Sequence, residues 1–354
     1  MGDGDRLSEA ELQPYSRTGA QSGIDLVYRR DSPVLDEWFL GGLHPLSGGT
    51  AYHLIGRHIL RGSVILGALV LLLWGVYASS SQLEILYTND IHSRLDRLES
   101  LAGLIEKERG MEGPVLLFDV GDTWQDFRVP IYAVWGADEV VSWMNQVSYD
   151  AMGLGNHDLY WGADQLARLC ERANFPVLSA NLRPIAGIAS PFIPYTFISI
   201  SGLEVLVIGL ITSEYLPYPD FPWLRYVAPE MALKEVLKET EKTADLVVVL
   251  GHLPVAEACR IAEVVPEIDI FLTGHSHETT EEPVIFGQTL ILQAGAFGQY
   301  LGRLQLELDP GTGAILQATN DLIPTEKTPA ALGRGYLKLF KVLGLIAFFL
   351  LLLR

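Results

Sequence analysis

From Gln82 onward the chain alternates between two kinds of segment. Short apolar runs occur at Leu83 to Tyr87, Val115 to Phe118, Ala151 to Leu154, Val205 to Ile211, Leu246 to Leu250, Ile268 to Leu272 and Leu290 to Gln293. Their length and their Val, Ile, Leu and Phe content predict strands. Between several of them, Leu95 to Arg109, Glu139 to Gln146, Ala163 to Ala173 and Met231 to Thr243 carry apolar residues at helical spacing. Strands alternating with helices predict a layered α/β domain. Residues Gly302 to Asp309 alternate strictly, and Pro310-Gly311-Thr312-Gly313 predicts a turn into a return strand at Ala314 to Ala318, where the domain is expected to close.

The flanks have a different pattern. Residues 1–60 are rich in Gly, Ser, Asp and Pro without sustained periodicity, so they predict a loosely structured tail with one short helix near Val34 to Leu40. Residues 64–78 are uncharged and apolar, and Gly62, Ser63 and Ser79 to Ser81 extend them toward the length of a membrane span. Arg57 and Arg61 precede this run while Glu84 and Asp90 follow it, which places the tail in the cytoplasm and the rest outside. Val76 and Ala78 fit a signal-peptidase site, but the leader is far too long for an ordinary signal peptide, so an anchor is preferred. At the other end, Val342 to Leu353 is apolar, with Lys338 and Lys341 before it, and predicts a second membrane segment that either spans or lies in the interface. The expected organisation is a tail at 1–60, an anchor at 61–81, an α/β domain at 82–325, a Pro-containing linker at 326–337 and a hydrophobic segment at 338–354.

With 354 residues, 49% of them hydrophobic, the chain can bury a large core. A net charge of -18 repels polyanions, so a nucleic-acid polymer is excluded as a ligand, whereas a small phosphate ester can still be captured through bound cations. Cys170 and Cys259 lie in segments that read as amphipathic helices and lack metal-site spacing, which predicts two buried thiols rather than a disulfide.

Every histidine beyond residue 60 falls in one of four blocks placed just after an apolar run: Asn89-Asp90-Ile91-His92, Gly155-Asn156-His157-Asp158, Gly251-His252 and Gly274-His275-Ser276-His277. A fifth block, Gly121-Asp122, carries a carboxylate alone. The carboxyl ends of strands in an α/β domain share one crevice, so these blocks predict a metal site there. Asp90 and His92 are two apart, which at the end of an extended segment turns both toward one face, and His275 and His277 repeat the spacing. Asp122, on a glycine turn, can offer its oxygens to two ions at once and is the candidate bridge. Asn156 adds a carbonyl oxygen and His252 an imidazole. Together they predict two four-ligand sites sharing Asp122, suited by the imidazole share to Mn, Zn, Fe or Co rather than Mg or Ca.

These five blocks in order resemble the calcineurin-like metallophosphoesterases, and within them the 5′-nucleotidase branch. The resemblance runs from about Leu83 to Ile323 and includes Val177-Leu-Ser-Ala-Asn-Leu182, Val207-Ile-Gly-Leu210 and Gln293-Ala-Gly-Ala-Phe-Gly-Gln-Tyr-Leu-Gly-Arg303. It implies a layered αββα domain in which one ion takes Asp90, His92, Asp122 and His277 and the other takes Asp122, Asn156, His252 and His275. His157 is then unligated and acts on the leaving group. One departure concerns the residue three after His157: the branch has an aspartate that pairs with the histidine, and here it is Tyr160, with Asp158 close by in sequence. The resemblance covers the metal domain only, so it implies no nucleotide specificity.

The chemistry agrees with the residues themselves. Paired divalent ions can activate water and clamp a phosphoryl group, and a neighbouring histidine can protonate the departing oxygen. The expected function is a membrane-anchored phosphomonoesterase outside the cytoplasm, with nucleotides among the candidate substrates and catalytic roles for His157, Asp122 and Asn156. The alternatives are a phosphodiesterase or pyrophosphatase acting on cyclic or lipid-linked substrates, and a non-catalytic, metal-stabilised ectodomain.

Overall fold

The computed structural model describes residues 81–125, 130–185, 187–216, 221–240 and 243–328. The predicted tail, the segment 61–80 and the segment 338–354 lie outside them; among the described residues no helix is long and apolar enough to cross a membrane. Ser81, expected at the end of the anchor, is instead the first residue of a strand and pairs with Leu308.

Two six-stranded sheets form the centre of the domain. The first runs β14-β13-β1-β2-β3-β4, where β1 is Ser81–Thr88, β2 Val115–Asp119, β3 Ala151–Gly153, β4 Val177–Leu178, β13 Tyr300–Leu308 and β14 Ile315–Pro324. The second runs β11-β12-β10-β9-β7-β6, with β6 Tyr195–Ile200, β7 Leu203–Ile211, β9 Leu246–His252, β10 Ile270–Thr273, β11 Val284–Phe286 and β12 Thr289–Leu292. A small ribbon of β5 (Leu182–Pro184) and β8 (Leu224–Tyr226) stands apart. β1 to β4 are mutually parallel, as are β7, β9, β10 and β12.

The apolar runs are continuous because both faces of these strands are buried. In β2, Leu116 and Phe118 face the core between the sheets, while Leu117 faces outward onto α1 (Leu98–Arg109) and α2 (Pro130–Gln146). In β9, Val248 and Leu250 point inward and Val249 meets α4 (Pro229–Glu239) and α5 (Val255–Val264). α3 (Ala163–Arg172) adds Leu166 and Leu169 to the outer core of the first sheet. Helices, sheet, sheet and helices make the αββα stack, and each fully buried Leu or Ile in it contributes roughly 1.5–3 kcal/mol.

Several boundaries differ from the sequence expectation. The helix expected at Glu139 starts at Pro130, whose missing N–H suits a first helical turn. The return strand does not stop at Ala318: it runs to Pro324, with Leu301 opposite Ile323 and Tyr300 opposite Pro324. The chain then stays on the domain, since the Thr328 N–H donates to the Asp96 carbonyl at 2.7 Å. Cys170 in α3 and Cys259 in α5 are free and half-buried, and burial pushes the Cys170 thiol up to about 12.

Candidate metal centre

Four of the blocks follow the carboxyl ends of β1, β2 and β3 in one sheet and of β10 in the other, and the fifth, Gly251-His252, forms the carboxyl end of β9 itself. Their loops continue the sheet pairing beyond the strands: the N–H groups of Asp90, His92 and Ser93 donate to the carbonyls of Gly121, Asp122 and Thr123 at 2.9, 2.8 and 2.9 Å. Asp90, His92, Asp122, His275 and His277 all have positive φ, between 50° and 70°. The left-handed region is costly for residues with a side chain, and such strain gathers at functional sites. It also corrects the sequence argument: Asp90 and His92 converge through tight left-handed turns and not by alternation along an extended strand. Gly155 is needed for a different reason, because a Cβ there would lie 2.2 Å from Asp122 Oδ1.

Asp90, His92, Asp122, Asn156 and His252 are each at most 2% exposed. Three groups are close enough to hold an ion: Asp90, His92 and His277; His92, Asp122 and His157; and Asp122, His252 and His275, with the ligand atoms of each group within 4.8 Å of one another. His92 is common to the first two and Asp122 to the last two, so the groups form one continuous cluster. Asn156 joins it through Oδ1, 3.0 Å from His275 Nδ1.

Surrounding groups fix which atom each residue presents. Asp90 Oδ2 accepts from Asn89 Nδ2 at 2.7 Å and from the His275 N–H at 3.0 Å, leaving Oδ1 for the cluster. His92 Nδ1 and His252 Nδ1 lie 3.3 and 2.9 Å from the carbonyls of Gln125 and Val120, so each ring turns Nε2 into the cluster, where His92 Nε2 lies 3.2 Å from His277 Nε2 and His252 Nε2 3.2 Å from Asp122 Oδ2. His275 is reversed, with Nε2 3.1 Å from Glu214 Oε2, and presents Nδ1. Asp90 Oδ1 and His252 Nε2 are fully buried and face other members of the cluster, His277 Nε2 at 3.3 Å and Asp122 Oδ2 at 3.2 Å, a crowding of ligand atoms that suits a metal. Burial alone would depress His252, but the carboxylates of Asp122 and Asp90 prevail and push the imidazole up to about 10. Burial also opposes ionisation of Asp122, yet His252 and His92 hold its carboxyl well below the usual range. A cation entering the cluster takes over the role of that imidazolium.

Two further segments support these loops. Asn89 links to Gly295 and Ala294, and Gln293 links to Gly274 and Ser276, so the Gln293-to-Phe297 stretch clamps the first and last blocks together. The Phe297 ring sits 5.5 Å from that of His92 and 5.1 Å from that of His277. Asp158 is not placed to pair with His157, because its carboxylate receives the backbone N–H groups of Asp122, Thr123, Trp124 and Gly155. Glu214 and Tyr215, which sequence reasoning missed, line the open cleft of about 510 Å³ above the cluster together with His157, Tyr160, Asn156, His275 and His277. Neither belongs to a histidine block; only their place soon after β7 pointed to the crevice.

The family model for calcineurin-like phosphoesterases matches residues 83–279. The snake venom 5′-nucleotidase of Naja atra is 31% identical over 296 residues, covering 70% of this chain and 54% of that protein. The 5′-nucleotidase of Bos taurus is 30% identical over 305 residues, covering 74% and 52%. The chain thus spans about half the length of the curated relatives it matches. Among solved structures, the calcineurin-like phosphoesterase YfkN from Bacillus subtilis has a TM-score of 0.63 at 20% identity, covering 73% of this chain and 98% of that one. The sulfate thiohydrolase SoxB of Termus thermophilus has the same TM-score at 20% identity, covering 72% of this chain and 60% of that one, so the likeness carries the fold and not the reaction.

Proposed function

Because the chain belongs to the calcineurin-like phosphoesterase family, we propose that its α/β domain is a dinuclear, metal-dependent hydrolase of phosphomonoesters, with nucleotides among the substrates. The observation that carries this reading is the convergence of Asp90, His92, Asp122, Asn156, His252, His275 and His277 from five strand ends. Asp90, His92, Asp122 and His277 would hold one ion; Asp122, Asn156, His252 and His275 would hold the other. When bound, such a pair neutralises phosphoryl charge and supplies an activated water.

The protein side of the reaction follows from the remaining groups. Asp122 is kept ionised by His252 and His92, so it can serve both positions without a proton to lose. The His157 N–H donates to Asp122 Oδ1 at 2.7 Å, and its side chain, 25% exposed, reaches into the cleft with Nε2 3.9 Å from Asp122 Oδ2. A histidine so placed can protonate the leaving oxygen and exchange its proton with solvent. The apolar runs at 64–78 and 342–353 support the finer reading that the domain is tethered to a bilayer, with residues 1–60 cytoplasmic and the catalytic domain outside.

The test is turnover of p-nitrophenyl phosphate and bis-p-nitrophenyl phosphate by protein loaded with Mn or Zn. Faster monoester hydrolysis is expected. Preference for the diester would assign the chain to phosphodiester chemistry, and no turnover of either ester by metal-loaded protein would leave a binding ectodomain. Orientation is tested by labelling a single thiol introduced at Ser80, in protein lacking Cys170 and Cys259, with an impermeant reagent on intact cells; the same thiol at Ser22 should stay unlabelled.

A further inference from the structure

Among the proposed ligands, Asn156 is the one amide. Its carbonyl oxygen can bind a cation and its NH₂ cannot, so the side chain serves only in one of two orientations of similar shape. In the structure Oδ1 faces the cluster, and Nδ2 donates to the hydroxyl of Tyr160 at 3.0 Å. Tyr160 is held close by the 3-10 turn His157–Leu159, which its own N–H closes on the His157 carbonyl at 3.1 Å. Its ring lies over the His157 imidazole, with centroids 4.6 Å apart and planes inclined by 33°.

We infer that Tyr160 is a positioning residue for both halves of the site: its hydroxyl fixes the Asn156 amide with Oδ1 toward the second ion, and its ring forms the wall against which His157 stands. This rests on the dinuclear reading above. The physical reason is burial. Asn156 is 1% exposed, so the Tyr160 hydroxyl is the acceptor its amide N–H has at hand, and removing it costs a buried donor its partner. With the hydroxyl present, the ion-facing orientation satisfies both ends of the amide. Without it, that orientation strands an N–H donor, and turning the amide over to avoid this would present NH₂ to the ion. The ring acts separately, because stacking restricts the imidazole without needing the oxygen.

Tyr160→Phe and Tyr160→Leu separate the two parts. Binding of Mn or Zn is followed by competition with a chromophoric chelator, and turnover is measured at saturating metal with an alkyl phosphate and with p-nitrophenyl phosphate. Tyr160→Phe should weaken one of two binding steps roughly 3- to 10-fold, the value of one buried hydrogen bond, and leave the other step and the ratio of the two rates unchanged. Tyr160→Leu should show the same binding loss and, in addition, a selective fall in alkyl phosphate turnover. The inference is overturned if Tyr160→Phe binds both ions as the wild type does, or weakens both steps equally. Uptake of only one ion by the wild type is a different result, which removes the dinuclear reading and this inference with it.

Discussion

Asp158 accepts the backbone N–H of Asp122 at 2.9 Å, which places a second buried acid directly behind the carboxylate proposed to join the two ions. The same carboxylate receives Thr123, Trp124 and Gly155, so one side chain ties the turn after β2 to the turn after β3. Burial and the charge of Asp122 push Asp158 above the usual carboxylate range despite these donors.

Asp158→Ala leaves four N–H groups without their acceptor in a region closed to water. The expected loss is about 3 kcal/mol or more in urea denaturation, accompanied by weaker metal uptake. Asp158→Asn keeps one accepting oxygen and should fall between. A change below about 0.5 kcal/mol for the alanine variant, typical of an exposed site, would show that the two turns hold themselves.

His157 is assigned to the leaving group, so its value depends on how much that group needs a proton. His157→Ala should slow an alkyl phosphate by roughly 10²- to 10⁴-fold and p-nitrophenyl phosphate much less, because nitrophenolate departs unprotonated. Equal slowing of both substrates would give His157 a role in holding phosphate or metal instead.

Asp269, just before β10 and at the opposite end of that strand from the His275 block, offers a pH test. Its Oδ2 accepts the Val247 N–H at 2.8 Å, and burial pushes its carboxyl up to about 6. A carboxyl raised in the fold contributes stability that is whole below its unfolded value near 3.8 and is lost as pH rises through about 6. Asp269→Asn should therefore match the wild type at acid pH and melt higher at alkaline pH, with a gain of about 1–2 kcal/mol after allowance for partial solvent access. Melting curves across that range check it; a gain that is the same at every pH would remove ionisation as the cause.

Sequence alone showed the site better than the paths that build it. Strand identity was legible in runs such as Val205 to Ile211 because both faces are buried, whereas β6, Tyr195–Ile200, is only partly buried at the sheet edge and left no continuous run. The histidine blocks were visible because their residue types are rare together, yet the turns that join them are not written in alternation: five of the residues named as ligands are left-handed. Glu214 and Tyr160 could not be assigned beforehand, since their roles come from where β7 and the 3-10 turn deliver them, on His275 and on Asn156.

The central claim is that Asp122 joins two ions, and the most direct measurement is metal content after exhaustive dialysis, by elemental analysis, for the wild type and Asp122→Asn of unchanged circular dichroism. His53→Ala, far upstream of the cluster in the chain, serves as the control. The account predicts two ions per chain in the wild type and the control and loss of most bound metal in Asp122→Asn, since an amide offers one neutral oxygen where a carboxylate offers two charged ones. Two tightly held ions in Asp122→Asn, or fewer than two in the wild type, would contradict it.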